Sequence, residues 1–582
     1  MSASRGKGRA AVVVGLVASL PGLAVGFLHD DLLQRLSLEG AIPDYQPGPF
    51  RLFDFTWGGE SQVAHMIAEG RLPWFSDPGL ALRFFRPFSS LSLALDSWLF
   101  GRSALAAHLH SLAWFLLLVV LAGALLRRWL APREAWWASL VFALAGGHSM
   151  TTAWLSARHG LLGASFGALA LLAHARRRDE GWRPGAWLAP LALVAGLLSS
   201  EVALGAVAFW VIDEAIARRG PTRERALAAL PPLAIASVYL VFYGLARYGT
   251  RNSGAYISPF DAPVAFLAAV CVRVPILLAE VYAALPSAVG AAAAAAETPL
   301  AIVGALSAIG VALALHARRD AFDDERKRRL LALGLSTVGA LVPAAGGIVG
   351  GRVLPLASIG GAALIGCLIA SALGQVRSLR GFAKLRWGAL VALLFLLHFG
   401  LSPLVRLGLP LVFRQHAEDE RTFADLAEID ACPPDGSAFV ITGSDPVNAL
   451  YAAPSLRFYR PERITRLRRV RVLSMAPNAH RLRGLGGGAF ELETVGPRTS
   501  NLFELIYRDS PVRVGDEVHA GELSAHVLAA ESGLPSKVSF RVEGGLAHAC
   551  FLAWRGGKLA HVATPEAGVS LEVPHEPGPM GM

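Results

Sequence analysis

The stretch Ala104–Arg128, ALAAHLHSLAWFLLLVVLAGALLRR, decides the fold class. From Ala104 to Leu126 it holds no Asp, Glu, Lys or Arg, and it stops on Arg127-Arg128. About 20 such residues are what a helix needs to cross a hydrocarbon core. Comparable apolar blocks recur from residue 10 to about residue 406. The 582 residues are 54% hydrophobic and only 17% charged, against roughly 25% charge in soluble domains. A soluble enzyme, a disordered chain, a disulfide scaffold and a single-anchor protein are excluded. The composition predicts a polytopic α-helical membrane protein.

Charge then orients the spans. Arg5, Lys7 and Arg9 precede the apolar run Ala11–Leu28, which is longer than a signal-peptide core and lacks an A-x-A site. It reads as a first crossing with a cytoplasmic N-terminus. Residues 29–103 are mixed in polarity and rich in Pro, Gly and aromatics, the signature of a large outer loop. Its apolar piece Phe88–Phe100 contains Asp96 and is short for a span. Further spans are expected at about 104–126, 134–150, 153–174, 185–200, 201–217, 225–247, 298–317, 329–348, 353–373 and 386–406. Arg127-Arg128, Arg176-Arg177-Arg178 and Arg218-Arg219 then fall inside, as the positive-inside rule asks. If 262–285 also crossed, the run Arg318-Arg319 to Arg329 would land outside, so it is read as a helix lying along the outer interface. The count is eleven crossings. The net charge of +10 is accounted for by these topology signals, and no nucleic-acid partner is expected.

On this count the transmembrane part covers 1–410 and the tail, 411–582, is extracytoplasmic. The tail opens with a helical pattern at Glu418–Ile429. Ala438–Thr442, Val538–Val542 and Val569–Val573 then alternate or run β-branched between Gly and Pro breaks, which reads as short strands in an α+β or mostly β domain. Four cysteines form no CxxC and no metal-ligand spacing,. Cys432 and Cys550, both in the tail, are able to pair in an oxidising compartment.

Polar residues gather at the outer ends of the spans. His29-Asp30-Asp31 follows the first crossing, and carboxylates at a membrane edge are costly and often functional. An ionised one can take a proton from an acceptor hydroxyl; by spacing alone an Asp before Leu32-Leu33 is equally a helix cap. Pro87 holds Arg86 away from helix, leaving its planar fork to meet a phosphate or to snorkel to headgroups. His108 and His110, two apart, cannot share a helix face, so they read as separate packing contacts. His148, Arg158, Glu201 and Arg352 complete the set.

Val141–Leu144 and Ala153–Arg158, continuing to Leu161-Leu162, resemble a segment of the transmembrane and TPR-containing O-mannosyltransferases, which reads approximately LFALHPVHTEAVAWISGRADLL. Four further pieces follow that family's order: His29-Asp30-Asp31 its acidic first-loop motif, Phe85–Ser89 its YRPL element, Leu198–Glu201 its LSKE, and Gly351–Gly360 its ERVLYLPSMG. The resemblance implies a GT-C membrane fold, interfacial helices in the first outer loop (29–103), and an active site on the outer membrane surface. It implies a polyprenyl-phosphate sugar as donor, displaced with inversion, and an acceptor that is a protein or a glycan. Carried over by position, Asp30 or Asp31 is the candidate base, Arg86 and Arg352 the grip on the lipid phosphate, and His29, His148, Arg158 and Glu201 the support. No cofactor is fixed by it; two adjacent acids are compatible with a divalent cation or with none. The chain departs from the family at Ala145, Gly146, Met150, Gly160, Ser200 and Gly351, and it has no TPR array.

Two classes of function follow. One is a hexosyltransferase in a bacterial-type inner or plasma membrane. The other is a GT-C scaffold without chemistry that binds polyprenyl lipid or assembles envelope machinery. A lipid or solute transporter fits less well, because charged groups are scarce within the spans.

Overall fold

The computed structural model describes residues 2–42, 45–498 and 501–577. Among them seven helices are long and apolar enough to cross a membrane: Ala104–Trp129, Thr222–Leu245, Pro263–Ala283, Ala295–His316, Asp324–Gly346, Ala357–Ser378 and the long run Gly381–Ala431. Shorter apolar helices are Arg9–Ala24 and Gly185–Leu197. The chain is an integral, polytopic helical membrane protein with a β-rich C-terminal domain.

Several of the expected crossings are broken helices rather than continuous ones. Pro132–Leu144 has 13 residues, or about 20 Å of helix, short of a core about 30 Å thick. Gly146-Gly147 ends it, and a separate short helix, His148–Ala153, follows. The break is filled by the helix Ser402–Leu426. Ser402 Oγ accepts from Gly146 N (2.9 Å) and donates to Leu144 O (3.1 Å), so the freed backbone groups stay satisfied away from water. The segments 185–200 and 201–217 are likewise a 13-residue helix and a 9-residue helix ending in a π turn at Asp213–Ala217. Hydropathy registers apolar content but not where the backbone breaks.

The basic helix ends converge on one face. Arg128 pairs with Asp179 (3.5 Å), Arg178 with Glu214 (2.9 Å) and Arg218 with Asp213 (2.8 Å). Arg326 and Arg329 reach Glu134 and Asp213 there. At the other end an antiparallel three-stranded sheet joins Asp54–Trp57, Ala81–Arg83 and Gly249–Arg251. Residues 29–103 and the loop after Leu245 therefore lie on the same side. The helix Pro263–Ala283 packs on Ala294–His316, where a Cβ on Gly304 would stand 1.8 Å from Pro275 O. At its middle, Arg273 donates to Ala345 O (3.0 Å), Gly347 O (3.1 Å) and Ala255 O (3.2 Å), carbonyls of loops on the sheet side.

The domain boundary expected at 411 falls inside the continuous helix Ser402–Leu426, so the last crossing runs directly into the extramembrane part. Beyond it lie two sheets. In one, Gly436–Thr442 is flanked in parallel by Leu467–Val472 and Ala549–Arg555, with Lys558–Val562 antiparallel at the edge. The other has six antiparallel strands between 479 and 573. All three segments expected as strands lie at β positions, Val569 being the residue before Ser570–Val573. Cys432 and Cys550 form a disulfide, Cα–Cα 5.2 Å, tying the end of the long helix to a central strand.

The domain does not stand apart from the first loop. Phe439, Phe490, Phe540 and Phe551 share one core with Val63, Ile67, Trp74 and Phe75. Trp74 Nε1 donates to Leu473 O at 2.9 Å, and Arg469 pairs with Glu69 at 2.8 Å. Gly70 sits at φ +73°, and a Cβ there would lie 2.6 Å from Val470 O. Only glycine allows that backbone conformation and that approach together.

Candidate functional site

Asp30 and Asp31 open the helix Asp30–Leu38. Consecutive residues on a helix point about 100° apart, and the two carboxylates meet different surroundings. Asp31 is buried and accepts from Ser156 N (2.7 Å), Ser156 Oγ (2.5 Å) and Leu28 N (3.2 Å). It fastens the loop to the residues before the helix Arg158–Glu180. Burial pushes its pKa up to about 7 against those donors. Asp30 is half-buried and accepts from the Tyr451 hydroxyl. Burial raises its pKa too, opposed by Tyr451, His29, Arg352 and Arg86. Because the acids diverge, they do not form the paired donor set that adjacency suggested for a divalent cation. Among the described residues no group of three or more His, Cys, Asp or Glu is placed to hold a metal.

His29, the residue before this helix, has φ 52°, a strained conformation for a non-glycine residue. Glu420 holds it there. Its carboxylate oxygens accept from His29 N at 3.2 Å, and Oε1 lies 2.8 Å from His29 Nδ1. Burial pulls the imidazole pKa down, but Glu420, with Asp30 and Asp445, outweighs it and leaves the pKa above the ordinary value.

Arg86 precedes Pro87 at the start of the helix Pro87–Phe100. Its guanidinium pairs with Glu201 at 2.9 Å and lies over the rings of Phe84 (4.5 Å) and Phe53 (5.1 Å). Glu201 also accepts from Tyr243 Oη at 3.1 Å. The segments 85–89 and 198–201 are locked together: Phe88 N donates to Leu198 O (3.0 Å) and Ser89 Oγ to Ser199 O (2.8 Å).

Arg352 donates to Ile348 O at 3.2 Å and pairs with no carboxylate among the described residues. Two glycines at departures from the family pattern explain its position. A Cβ on Gly351 would stand 2.4 Å from Gly147 O, and one on Gly160 2.4 Å from Arg352 O. With no side chain at either, the backbone around Arg352 packs directly on the ends of two neighbouring helices.

His148 and Arg158 stand elsewhere. His148 is fully buried with its ring between Phe142 (4.6 Å) and Phe115 (5.3 Å). Arg158 is 1% exposed. It pairs with Asp96 (2.6 Å) and donates to Ser111 Oγ (2.8 Å) and Ala107 O (2.7 Å). It binds three helices together and is consumed by doing so. His108 and His110 make separate contacts, to Gly26 O (2.9 Å) and Asp96 (2.6 Å).

The sequence reading missed what the C-terminal domain brings. Tyr451 lies on the helix Pro446–Tyr459, and its hydroxyl meets Asp30 across 421 residues of chain. Tyr507 and Tyr256 feel the Asp30 charge as well; burial, then that charge, raises Tyr507, while burial is the main term for Tyr256. No spacing motif signals such residues.

No family model matches the chain, and no curated protein does. Among solved structures it is similar to ArnT from Cupriavidus metallidurans bound to undecaprenyl phosphate, with 17% identity and a TM-score of 0.38, covering 80% of this chain and 89% of that one. The apo form of the same protein gives 17% identity and a TM-score of 0.37, covering 78% of this chain and 84% of that one.

Proposed function

We propose that the chain is a membrane glycosyltransferase that moves a hexose from a polyprenyl-phosphate donor to an acceptor hydroxyl on the extracytoplasmic face. The observation that carries this is the charge pattern around one half-buried carboxylate: Asp30 lies within electrostatic reach of both Arg352 and Arg86, at the rim opposite the basic helix ends. Asp30 is the base. It takes the acceptor hydroxyl proton as the new C1–O bond forms and the old C1–O bond to phosphate breaks with inversion. Arg352, which has no carboxylate partner among the described residues, binds the departing phosphate; a fixed guanidinium fork in a poorly solvated site stabilises that developing charge well. Arg86, turned by Glu201, supports it. Asp31, His148 and Arg158 hold the scaffold.

The sidedness rests on the positive-inside rule and on the disulfide, which belongs in an oxidising compartment. The Arg86–Glu201 pair favours a second reading, a scaffold that binds the lipid without turnover, because a neutralised arginine adds little to stabilising the charge that develops on a departing phosphate. Incubating purified protein with labelled undecaprenyl-phosphate hexoses and membrane acceptors separates the two. Transfer that is lost in Asp30→Asn supports the enzyme; binding with no turnover of any hexose selects the scaffold. Full transfer by Asp30→Asn removes the base assignment.

A further inference from the structure

We infer that Tyr451 of the extramembrane domain is a positioning residue for Asp30, so that the site on the membrane part is complete only with that domain docked. The inference rests on the reading of Asp30 as the base next to the donor phosphate. The hydroxyl of Tyr451 donates to Asp30 Oδ1, and Tyr451 is 8% exposed. A donor fixed by packing favours the ionised carboxylate and sets which lone pair is left for the acceptor.

The docking that brings it there is specific. Arg457, on the same helix as Tyr451, donates to Ala41 O at 3.1 Å. Phe458 packs edge-on to Phe27 at 5.6 Å, and Arg102 donates to Phe458 O at 2.8 Å. Two contacts from the first loop and one from Phe27, just before it, thus fix the helix that carries the hydroxyl.

Other charged and titratable groups face Asp30 from each packed element. His29 and Asp31 belong to its own turn, and Tyr45 and Arg86 to the first loop. Arg352, Tyr256 and, from the domain, Tyr507 complete the set. Among the described residues only the Tyr451 hydroxyl is hydrogen-bonded to the carboxylate. Removing that bond shifts Asp30 toward its neutral form, so its ionisation moves to higher pH.

The test uses the full chain and undecaprenyl phosphate as probe, with affinity followed against pH. Ionised Asp30 repels the phosphate, so affinity falls as pH rises through its titration. Asp30→Asn removes that step and leaves only the titration of the phosphate itself. Tyr451→Phe is expected to keep the step and displace it to higher pH, and in the transfer assay to lower kcat by about tenfold or more with KM little changed. A fluorinated tyrosine at the same position, a stronger donor, is expected to displace the step to lower pH, a response that packing alone does not produce. If Asp30→Asn removes the step but neither substitution at Tyr451 moves it, the role of Tyr451 is overturned while the site stands. If Asp30→Asn matches the wild type, or if the probe does not bind at all, the phosphate does not sit beside Asp30 and both readings fall.

Discussion

Alanine in place of Asp31 separates the two adjacent acids. The side chain is 4% exposed and accepts from Ser156 N, Ser156 Oγ and Leu28 N. Ser156 Oγ keeps a second partner in Gln34 Oε1 at 2.8 Å, so the substitution orphans two buried backbone N–H groups. Each costs about 1–3 kcal/mol, which puts the loss at about 2–6 kcal/mol. Asp31→Asn retains one acceptor oxygen and costs less. Its cost also depends on pH. Because burial raises the folded-state pKa of Asp31 to about 7, above an unfolded value of about 3.9, the folded chain holds this proton more tightly. The stability linked to it is fully present below about pH 4 and is lost as pH rises toward about 7. The gap between wild type and Asp31→Asn is therefore widest at low pH and narrows across that window. Thermal unfolding in detergent, followed by tryptophan fluorescence between pH 4 and 8, reads both effects. An Asp31→Ala protein as stable as the wild type but inactive in transfer would refute this reasoning and move the chemistry to Asp31.

Arg352→Lys keeps the charge and loses the fork, so kcat/KM for an undecaprenyl-phosphate hexose should fall by about tenfold or more; an unchanged value would count against Arg352 as the phosphate grip. Replacing Cys432 by serine removes a cross-link spanning 118 residues and should destabilise the extramembrane domain by about 2–5 kcal/mol, seen as faster protease cleavage beyond residue 426; equal resistance would show that the cross-link adds nothing. Asp320→Cys, as the one free thiol in a Cys271→Ser, Cys367→Ala background, reports whether Pro263–Ala283 crosses. If that helix lies flat, an impermeant maleimide labels the site only after the membrane is opened. Labelling of sealed cells would place 318–329 outside, and with it the basic face to which Arg326 and Arg329 are paired, and would overturn the sidedness.

The apolar blocks and the arginine pairs that end them fixed the class of protein before any coordinates, because transfer of about 20 apolar residues into hydrocarbon is a local property. The tail strands were legible for the same reason: alternation between Gly and Pro breaks is read within a few residues. The pairing of Cys432 with Cys550 was open to sequence because only two cysteines fall in the tail. Which spans are continuous helices was not legible. The break at Gly146-Gly147 is held open by Ser402, 256 residues away, and no window along the chain contains both.

The same distinction governs the site. Sequence placed Asp30, Asp31, Arg86, Glu201 and Arg352 at helix ends, where charge avoids the hydrocarbon. It could not rank Asp30 against Asp31, since their difference is a rotation of about 100° that matters only once Ser156 lies on one side and Tyr451 on the other. Nor could it withdraw Arg158, whose guanidinium is occupied by Asp96. Hydrophobicity and charge act along the chain and set the elements. Hydrogen bonds and ion pairs act over about 3 Å, and only the packed molecule decides which groups come that close.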